Sequence, residues 1–209
     1  MPLFKSLAIN SQTIVKVWSI SESISILNQL DLTPNSLARL KNMKSERHKL
    51  GFLSVRWLLQ DFGYGDKDIH YDRFGKPSLK DGKYISISHS FSYSAVVVSS
   101  QPVGLDIEKI REKIIRIAPK FIGFESSFLS SNPIDLVSKL TTVWCIKESL
   151  YKLYSKLGLS FKDQMLVLPF DDKSQYTTAW ILESKNRKRF EASFLEFNGY
   201  LLAVTTPSL

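Results

Sequence analysis

The spacing of apolar residues predicts a strand and two helices in the first part of the chain. Residues 13–20 are rich in β-branched side chains that partly alternate with polar ones, which favours a strand. Thr33 followed by Pro34 predicts a helix that begins near residue 34. Through residues 46–62 the apolar positions recur at helical spacing, with Ser45 as a candidate cap and Gly63 at the end.

Beyond a turn-rich segment, the pattern predicts strands, a long helical stretch and more strands. The first strands are residues 84–88, 94–100 and 103–108. Helical periodicity then extends over about residues 111–155, interrupted near Gly123 and Pro133. Four strand-like segments fill the remainder: residues 164–169, 177–184, 189–196 and 199–206.

This order of elements predicts an α+β fold built from two similar subdomains. Each half carries helical segments and then a small run of strands, and the junction falls near Pro102. We therefore expect subdomains at residues 1–101 and 102–209. The likeness concerns the order of elements, because no repeat is detectable at the level of residues.

Composition narrows the class of protein. No apolar run is long enough to cross a bilayer, and the first residues lack the pattern of a secretory signal. The single cysteine, Cys145, excludes an internal disulfide and a cysteine-based metal cage, and its helical context predicts a core thiol. We expect a cytoplasmic protein.

The formal net charge of +8 favours anionic partners. Nucleic acid, membrane surfaces, acidic proteins and phosphorylated metabolites all fit that charge. The densest basic run, residues 185–189, lies between two alternating segments, so we interpret it as a solvated hairpin turn rather than a nucleic-acid contact.

Two carboxylates stand on one face of the strand at residues 103–108. Because alternate residues of a strand share a face, Asp106 and Glu108 point the same way while Leu105 and Ile107 point into the core. Like charges at that spacing repel unless a cation or solvent intervenes. In isolation, such a pair is most often a solvated edge.

A third carboxylate lies on the helix that contains Glu148 and Lys152. On a surface these two would form only an i, i+4 pair worth about 0.3–0.5 kcal/mol. Taken with Asp106 and Glu108, however, Glu148 completes an oxygen-only donor set of the kind that selects Mg²⁺ or Mn²⁺ over Zn²⁺. A neighbouring lysine then suggests phosphoryl or pyrophosphate chemistry.

Two further segments carry groups suited to a phosphate ligand. His89 ends a short strand and is accompanied by Ser86, Ser88 and Ser90, whose hydroxyls can bond phosphate oxygens. The Phe-Gly-Lys-Pro segment at residues 74–77 predicts a rigid turn. A capping histidine and a plain surface turn are the commonest interpretations of such segments taken singly.

Three motifs in order, ISISHS, VGLDIE and WCIKESLYK, resemble those of the 4′-phosphopantetheinyl transferases, and in particular the larger, monomeric type. The resemblance covers about residues 45–205 and implies the family's pseudo-two-fold α+β fold. It implies that Asp106, Glu108 and Glu148 hold Mg²⁺, with Mn²⁺ possible, and that Glu148 takes a proton from a carrier serine. Lys152 would neutralise charge on the departing 3′,5′-ADP, and Lys147 would have a structural or phosphate-steering role.

The resemblance also implies the residues that bind coenzyme A. His89 would contact the 3′-phosphate and Ser88 would lie near the pyrophosphate. The turn residues would border the adenine: Gly75, Lys76 and Pro77.

A further basic contact to the 3′-phosphate is implied at Arg47. In the preceding helix the family often carries two basic residues one turn apart, whereas this chain has Ser36 and Arg39. Lys41 and Lys44 are alternatives for the missing contact.

The reaction implied is transfer of phosphopantetheine from coenzyme A to a serine of an acyl- or peptidyl-carrier protein. The subdomains would form the coenzyme A cleft, and the positive net charge would attract an acidic carrier protein. A monomer that binds neither nucleic acid nor membrane is implied.

Other classes of function remain open. A basic nucleic-acid-binding module would use the charge but leaves the three carboxylates unexplained. Another Mg²⁺-dependent phosphodiester enzyme, such as a nuclease, keeps the metal but not the serine–histidine and glycine–proline segments. A binding-only homologue is a third alternative, and a serine hydrolase is disfavoured because no G-x-S-x-G elbow is present.

Overall fold

The computed structural model describes residues 3–129, 132–171, 174–184 and 186–208. The chain divides into two compact units, Met1–Gln101 and Pro102–Leu209. Both units combine helices with antiparallel sheet, which confirms the predicted α+β class.

The first unit contains a four-stranded antiparallel sheet in the order β1-β2-β6-β5 and a separate β3–β4 hairpin. Its strands are β1 (Leu3–Asn10), β2 (Thr13–Ser19), β3 (Ile69–Tyr71), β4 (Pro77–Leu79), β5 (Tyr84–Ser90) and β6 (Tyr93–Ser99). Its helices are α1 (Ile24–Leu27), α2 (Pro34–Asn42) and α3 (Glu46–Asp61).

Helix α3 covers one face of this sheet and contacts β2, β5 and β6. Its apolar stripe, which includes Leu53 and Leu58, is fully buried against Trp18 and Val96. Thr33 caps α2 as predicted, since its side chain accepts a hydrogen bond from the Ser36 N–H.

The second unit contains a five-stranded antiparallel sheet in the order β7-β11-β10-β9-β8. Its strands are β7 (Gly104–Lys109), β8 (Met165–Val167), β9 (Tyr176–Leu182), β10 (Arg187–Phe197) and β11 (Tyr200–Pro207). Its helices are α4 (Lys113–Ile117) and α5 (Pro133–Tyr154), and short 3₁₀ turns occupy Ala118–Lys120 and Phe124–Ser127.

Helix α5 crosses this sheet and packs on β7 and β11. The core beneath it includes Ile146, Leu150, Leu201 and Ala203, all almost fully buried. The apolar stripe of α5 therefore fixes which faces of α5 and β7 meet.

The observed order of elements differs from the predicted one in part. Strand β1 was not predicted, whereas the predicted strands at residues 13–20 and 103–108 are confirmed as β2 and β7, so each unit has strand before its helices. Strand β1 is an edge strand with half of its residues exposed, so its sequence carries only a weak alternation. The predicted helical stretch at 111–155 reduces to α4 and α5, with 3₁₀ turns between them.

The antiparallel pair β9–β10 confirms the predicted hairpin, but the basic residues Arg187, Lys188 and Arg189 lie in β10, where they pair with β9, and not in the turn. Lys185 itself lies outside the described residues. Within the described ranges, no helix combines the length and the apolarity needed to cross a membrane.

Candidate active site

Strand β7 lies directly against helix α5, and Gly104 permits this close approach. A Cβ built on Gly104 would clash with the carbonyl group of Ser149, whose carbon would lie 2.8 Å away. Leu105 and Ile107 are buried as predicted. The strand therefore brings Asp106 beside α5 at the level of Glu148 and Lys152.

Lys152 pairs with Asp106 across the strand and the helix. The Lys152 Nζ donates to Asp106 Oδ1 at 2.7 Å. The Asp106 side chain is only 6% exposed and that of Lys152 is 30% exposed, so the pair is much less solvated than a surface ion pair. The sequence by itself allowed an i, i+4 pair with Glu148, but in the structure Lys152 forms an ion pair with Asp106.

The charges of the predicted carboxylates Asp106 and Glu108 act on the third, Glu148. Burial first, and then the charges of Asp106 and Glu108, raise the pKa of Glu148 to about 7, although Lys152 acts in the opposite direction. Glu108 is half-buried at the end of the same strand. The helix and the strand thus bring together Asp106, Glu108, Glu148 and Lys152.

The single thiol lies beside this group and is part of the core, as predicted. Cys145 is fully buried and donates to the Leu201 carbonyl oxygen at 3.5 Å. Burial raises the pKa of Cys145 well above its usual value, and the neighbouring charges of Asp106 and Glu108 act in the same direction. A neutral, enclosed thiol is a poor nucleophile.

The chemistry of the donor set fits a hard divalent cation. It consists of carboxylate oxygens alone, and burial together with the neighbouring carboxylates raises the pKa of Glu148 to about 7. Among the described residues, no three His, Cys, Asp or Glu side chains stand together as a formed metal cage. Binding of a cation by Asp106, Glu108 and Glu148 therefore stays a prediction.

Lys147 points away from this group and into the protein interior. Its Nζ is fully buried, 2.7 Å from Glu125 Oε1, and it also donates to the carbonyl oxygens of Phe121 and Phe161 at 2.7 and 2.8 Å. Glu125 in turn accepts from the Val167 N–H at 2.9 Å. Of the two roles expected for Lys147, structural or phosphate-steering, this geometry favours the structural role.

In the first unit, His89 is exposed at the end of β5 and lies over α3. A Cβ built on Gly51 would lie 3.1 Å from His89 Cγ, so the imidazole rests where a larger residue would project. The ring of His48 lies beside it, with the two centroids 6.3 Å apart. Sequence reasoning missed His48, although its place one residue after Arg47 was a usable signal.

Arg47 lies at the first turn of α3 and is exposed. Its guanidinium stacks on Phe91 at 4.5 Å, and Phe91 belongs to the turn that follows β5. A groove of about 490 Å³ opens there. It is lined by Ile20, Ser45, Glu46, Arg47, Leu50, Phe91 and Ser92.

The serines that accompany His89 lie on the opposite face of β5. Ser86, Ser88 and Ser90 are buried, whereas His89 is exposed, because alternate residues of a strand point to opposite faces. Contact of Ser88 with a pyrophosphate group therefore stays a prediction.

The predicted glycine–proline turn joins β3 to β4 and is held by Asp72. Asp72 Oδ1 accepts from the N–H groups of Phe74 and Lys76 at 2.8 and 2.9 Å. Gly75 adopts a φ of +83°, which favours glycine, and Pro77 begins β4. Hydrogen bonds from the Lys76 and Phe74 backbone lower the pKa of Asp72, so its carboxylate stays charged at neutral pH.

Comparison with known proteins agrees with the resemblance carried by the three motifs. Residues 102–205 match the 4′-phosphopantetheinyl transferase superfamily. The chain is 33% identical over 128 residues to "4′-phosphopantetheinyl transferase gsp" of Aneurinibacillus migulanus, covering 58% of this chain and 54% of that protein. It is 30% identical over 126 residues to "4′-phosphopantetheinyl transferase Sfp" of Bacillus subtilis, covering 56% of each.

A third relative carries a different name. "Enterobactin synthase component D" of Salmonella typhi is 36% identical over 96 residues, covering 44% of this chain and 38% of that protein. The chain thus spans about half the length of the relatives that it matches most extensively. On the family match and these relatives, the chain belongs to the 4′-phosphopantetheinyl transferase superfamily.

Proposed function

We propose that this protein transfers the 4′-phosphopantetheine group of coenzyme A to a serine of an acyl- or peptidyl-carrier protein. Two of the relatives above are named for this transfer. The observation that carries the proposal is the meeting of two sequence motifs at one place. Asp106 of the VGLDIE motif pairs with Lys152 of the WCIKESLYK motif, and the charge of Asp106 contributes to the raised pKa of Glu148.

In the proposed reaction the serine oxygen attacks the β-phosphorus of the coenzyme A pyrophosphate. The bond from that phosphorus to the bridging oxygen breaks, and 3′,5′-ADP leaves with the bridging oxygen. Glu148 takes the serine proton, which requires its ionised form. Lys152 neutralises negative charge that develops on the leaving group.

A divalent cation held by Asp106, Glu108 and Glu148 would polarise the phosphoryl oxygens when bound. We propose Mg²⁺, with Mn²⁺ as an alternative, since both prefer carboxylate oxygens.

We assign the nucleotide contacts to the first unit. Arg47 and His89 would bind the 3′-phosphate, and His48 is available beside them. The turn at residues 75–77 would border the adenine, because Asp72 holds its backbone in one shape before a ligand arrives. Ser88 is proposed to lie near the pyrophosphate.

The carrier protein is proposed to be acidic, because a chain with a net charge of +8 attracts such a partner. We also propose that the protein acts as a cytoplasmic monomer. These finer statements are supported by the family resemblance and by net charge.

Mass spectrometry of an apo carrier protein tests the transfer directly. Incubation with coenzyme A, Mg²⁺ and this protein should add one phosphopantetheine mass, and chelation of the metal should prevent it. Glu148→Gln should abolish the gain, whereas Glu112→Gln, an exposed carboxylate of the same unit, should leave it unchanged. No gain on several acyl- and peptidyl-carrier proteins, with the protein folded, would refute the proposal.

The nuclease alternative makes the opposite prediction. Metal-dependent cleavage of DNA or RNA that is lost in Glu148→Gln, with no mass added to any carrier, would favour that function over phosphopantetheine transfer.

A further inference from the structure

The ion pair between Lys152 and Asp106 involves a carboxylate that the proposed function assigns to metal binding. The Lys152 Nζ lies 2.7 Å from Asp106 Oδ1, and the carboxylate side chain is 6% exposed. A buried carboxylate needs a positive partner, because desolvation penalises its charged form. In this structure a lysine supplies that charge.

A divalent cation bound to Asp106 would lie within a few ångströms of the ammonium group. Like charges at that separation repel strongly where solvent is largely excluded. The Lys152 side chain is 30% exposed and has a flexible four-carbon stem, so it can move away from the carboxylate without rearranging the core. The helix that carries it stays fixed by the buried residues Ile146 and Leu150.

We propose that Lys152 and a divalent cation alternate on Asp106. In the absence of metal, Lys152 neutralises the buried carboxylate. When the cation binds, Lys152 leaves Asp106 and becomes available to an anionic ligand, namely the pyrophosphate group of the donor. This inference rests on the proposed function, since it presupposes that Asp106 binds the metal.

Through this exchange, metal binding at Asp106 makes Lys152 available to the nucleotide. While its ammonium is bound to Asp106, Lys152 has part of its charge neutralised and one of its three donors occupied, so it binds a pyrophosphate oxygen less strongly. Lys152 is thus more available to the pyrophosphate once the metal is bound to Asp106. The same side chain stabilises the protein without ligand and contributes to the reaction with ligand.

Chemical labelling of lysines measures this exchange directly. The whole protein, without coenzyme A, is pulsed briefly with an amine-acetylating reagent, and acetylation at Lys152 and Lys156 is quantified by peptide mass spectrometry. Adding Mn²⁺ should raise labelling at Lys152 by at least about fivefold, since even an exposed ion pair lowers the population of the unpaired side chain by up to about that factor and this pair is less solvated. Binding of Mn²⁺ is followed in parallel by electron paramagnetic resonance.

Lys156 serves as the matched internal control. It follows the same helix and pairs with Glu183 at 2.5 Å, but its side chain is 56% exposed and its partner is not a proposed metal ligand. Its labelling should not respond to Mn²⁺. In Asp106→Asn, labelling of Lys152 should be high without metal and should stay at that level when metal is added.

The possible results separate this inference from the proposed function. If Mn²⁺ binds and Asp106→Asn abolishes the binding, but Lys152 labelling stays constant or falls, the exchange is wrong and the metal site stands. If the unmodified protein binds no Mn²⁺ that depends on Asp106, the metal assignment and the exchange are both wrong. A rise confined to Lys152 and dependent on Asp106 supports the exchange.

Discussion

Replacement of Lys147 by methionine tests the buried ion pair between Lys147 on α5 and Glu125, which joins α5 to the 3₁₀ turn at Phe124–Ser127. Methionine has nearly the length of lysine but no charge, so the change leaves the Glu125 carboxylate buried without its cation. The side chains of Lys147 and Glu125 are both fully buried. Burial lowers the pKa of Lys147, and the adjacent Glu125 carboxylate raises it, with a lowered value as the net result.

The expected loss is large. Removal of one partner from a buried ion pair typically costs about 3–5 kcal/mol, because the remaining charge is left uncompensated. The substitution also removes the donor to the carbonyl oxygens of Phe121 and Phe161. Since domains of this size are stable by only about 5–15 kcal/mol, the variant should unfold at a much lower denaturant concentration.

Urea unfolding followed by tryptophan fluorescence measures this loss, and Lys156→Met is the matched control. That control removes an exposed lysine paired with Glu183, so it should cost only about 0–1 kcal/mol. Adding Glu125→Gln to Lys147→Met should recover part of the stability, since the buried negative charge is then gone. A loss below about 1 kcal/mol, together with a raised KM for coenzyme A, would refute the structural role and favour phosphate steering.

Three further predictions concern the candidate site. Gly51→Ala should shift the imidazole of His89 by a few tenths of an ångström, because the new Cβ would lie 3.1 Å from Cγ. This variant should raise the KM for coenzyme A more than that for 3′-dephospho-coenzyme A, and equal changes would refute the positioning role. Asp72→Ala should raise the KM for coenzyme A severalfold with little change in kcat, because the turn at residues 74–76 loses two hydrogen bonds to the Asp72 carboxylate, and an unaltered KM would contradict this. With a metal chelator present, the free energy of unfolding should fall by up to about 3 kcal/mol as pH rises from about 4.5 to about 7. The reason is that Glu148 keeps its proton to a higher pH in the folded state than in the unfolded chain. Glu148→Gln should remove this pH dependence, and a dependence that persists in the variant would contradict the assignment.

Much of the fold could be predicted because it depends on local pattern. The β-branched and alternating runs gave β2 and the strands of the second unit, and the helical spacing of residues 46–62 gave α3. Strand β1 was missed because an edge strand buries little of either face. The stretch before α5 was predicted as helix, whereas much of it forms 3₁₀ turns whose buried Glu125 makes a long-range ion pair.

The candidate site could be predicted only in part, because contacts between residues far apart in the sequence leave no local pattern. Motif spacing identified Asp106, Glu148 and Lys152, because each stands on an element with a clear periodicity. The same spacing allowed Lys152 to pair with Glu148 on its own helix, and no local rule points to a partner on a strand. His48 and Asp72 were not identified, since their roles depend on what lies next to them in space.

The sequence by itself determined which residues are charged, which faces are apolar and most of the segments that form strands and helices. These properties follow from side-chain chemistry and from the periods of the strand and the helix. Tertiary structure alone decided the partners of the buried charges. Lys147 and Lys152 stand on one helix, yet one faces Glu125 in the core and the other faces Asp106 at the candidate site, because packing of α5 on β7 and β11 fixes the rotation of the helix.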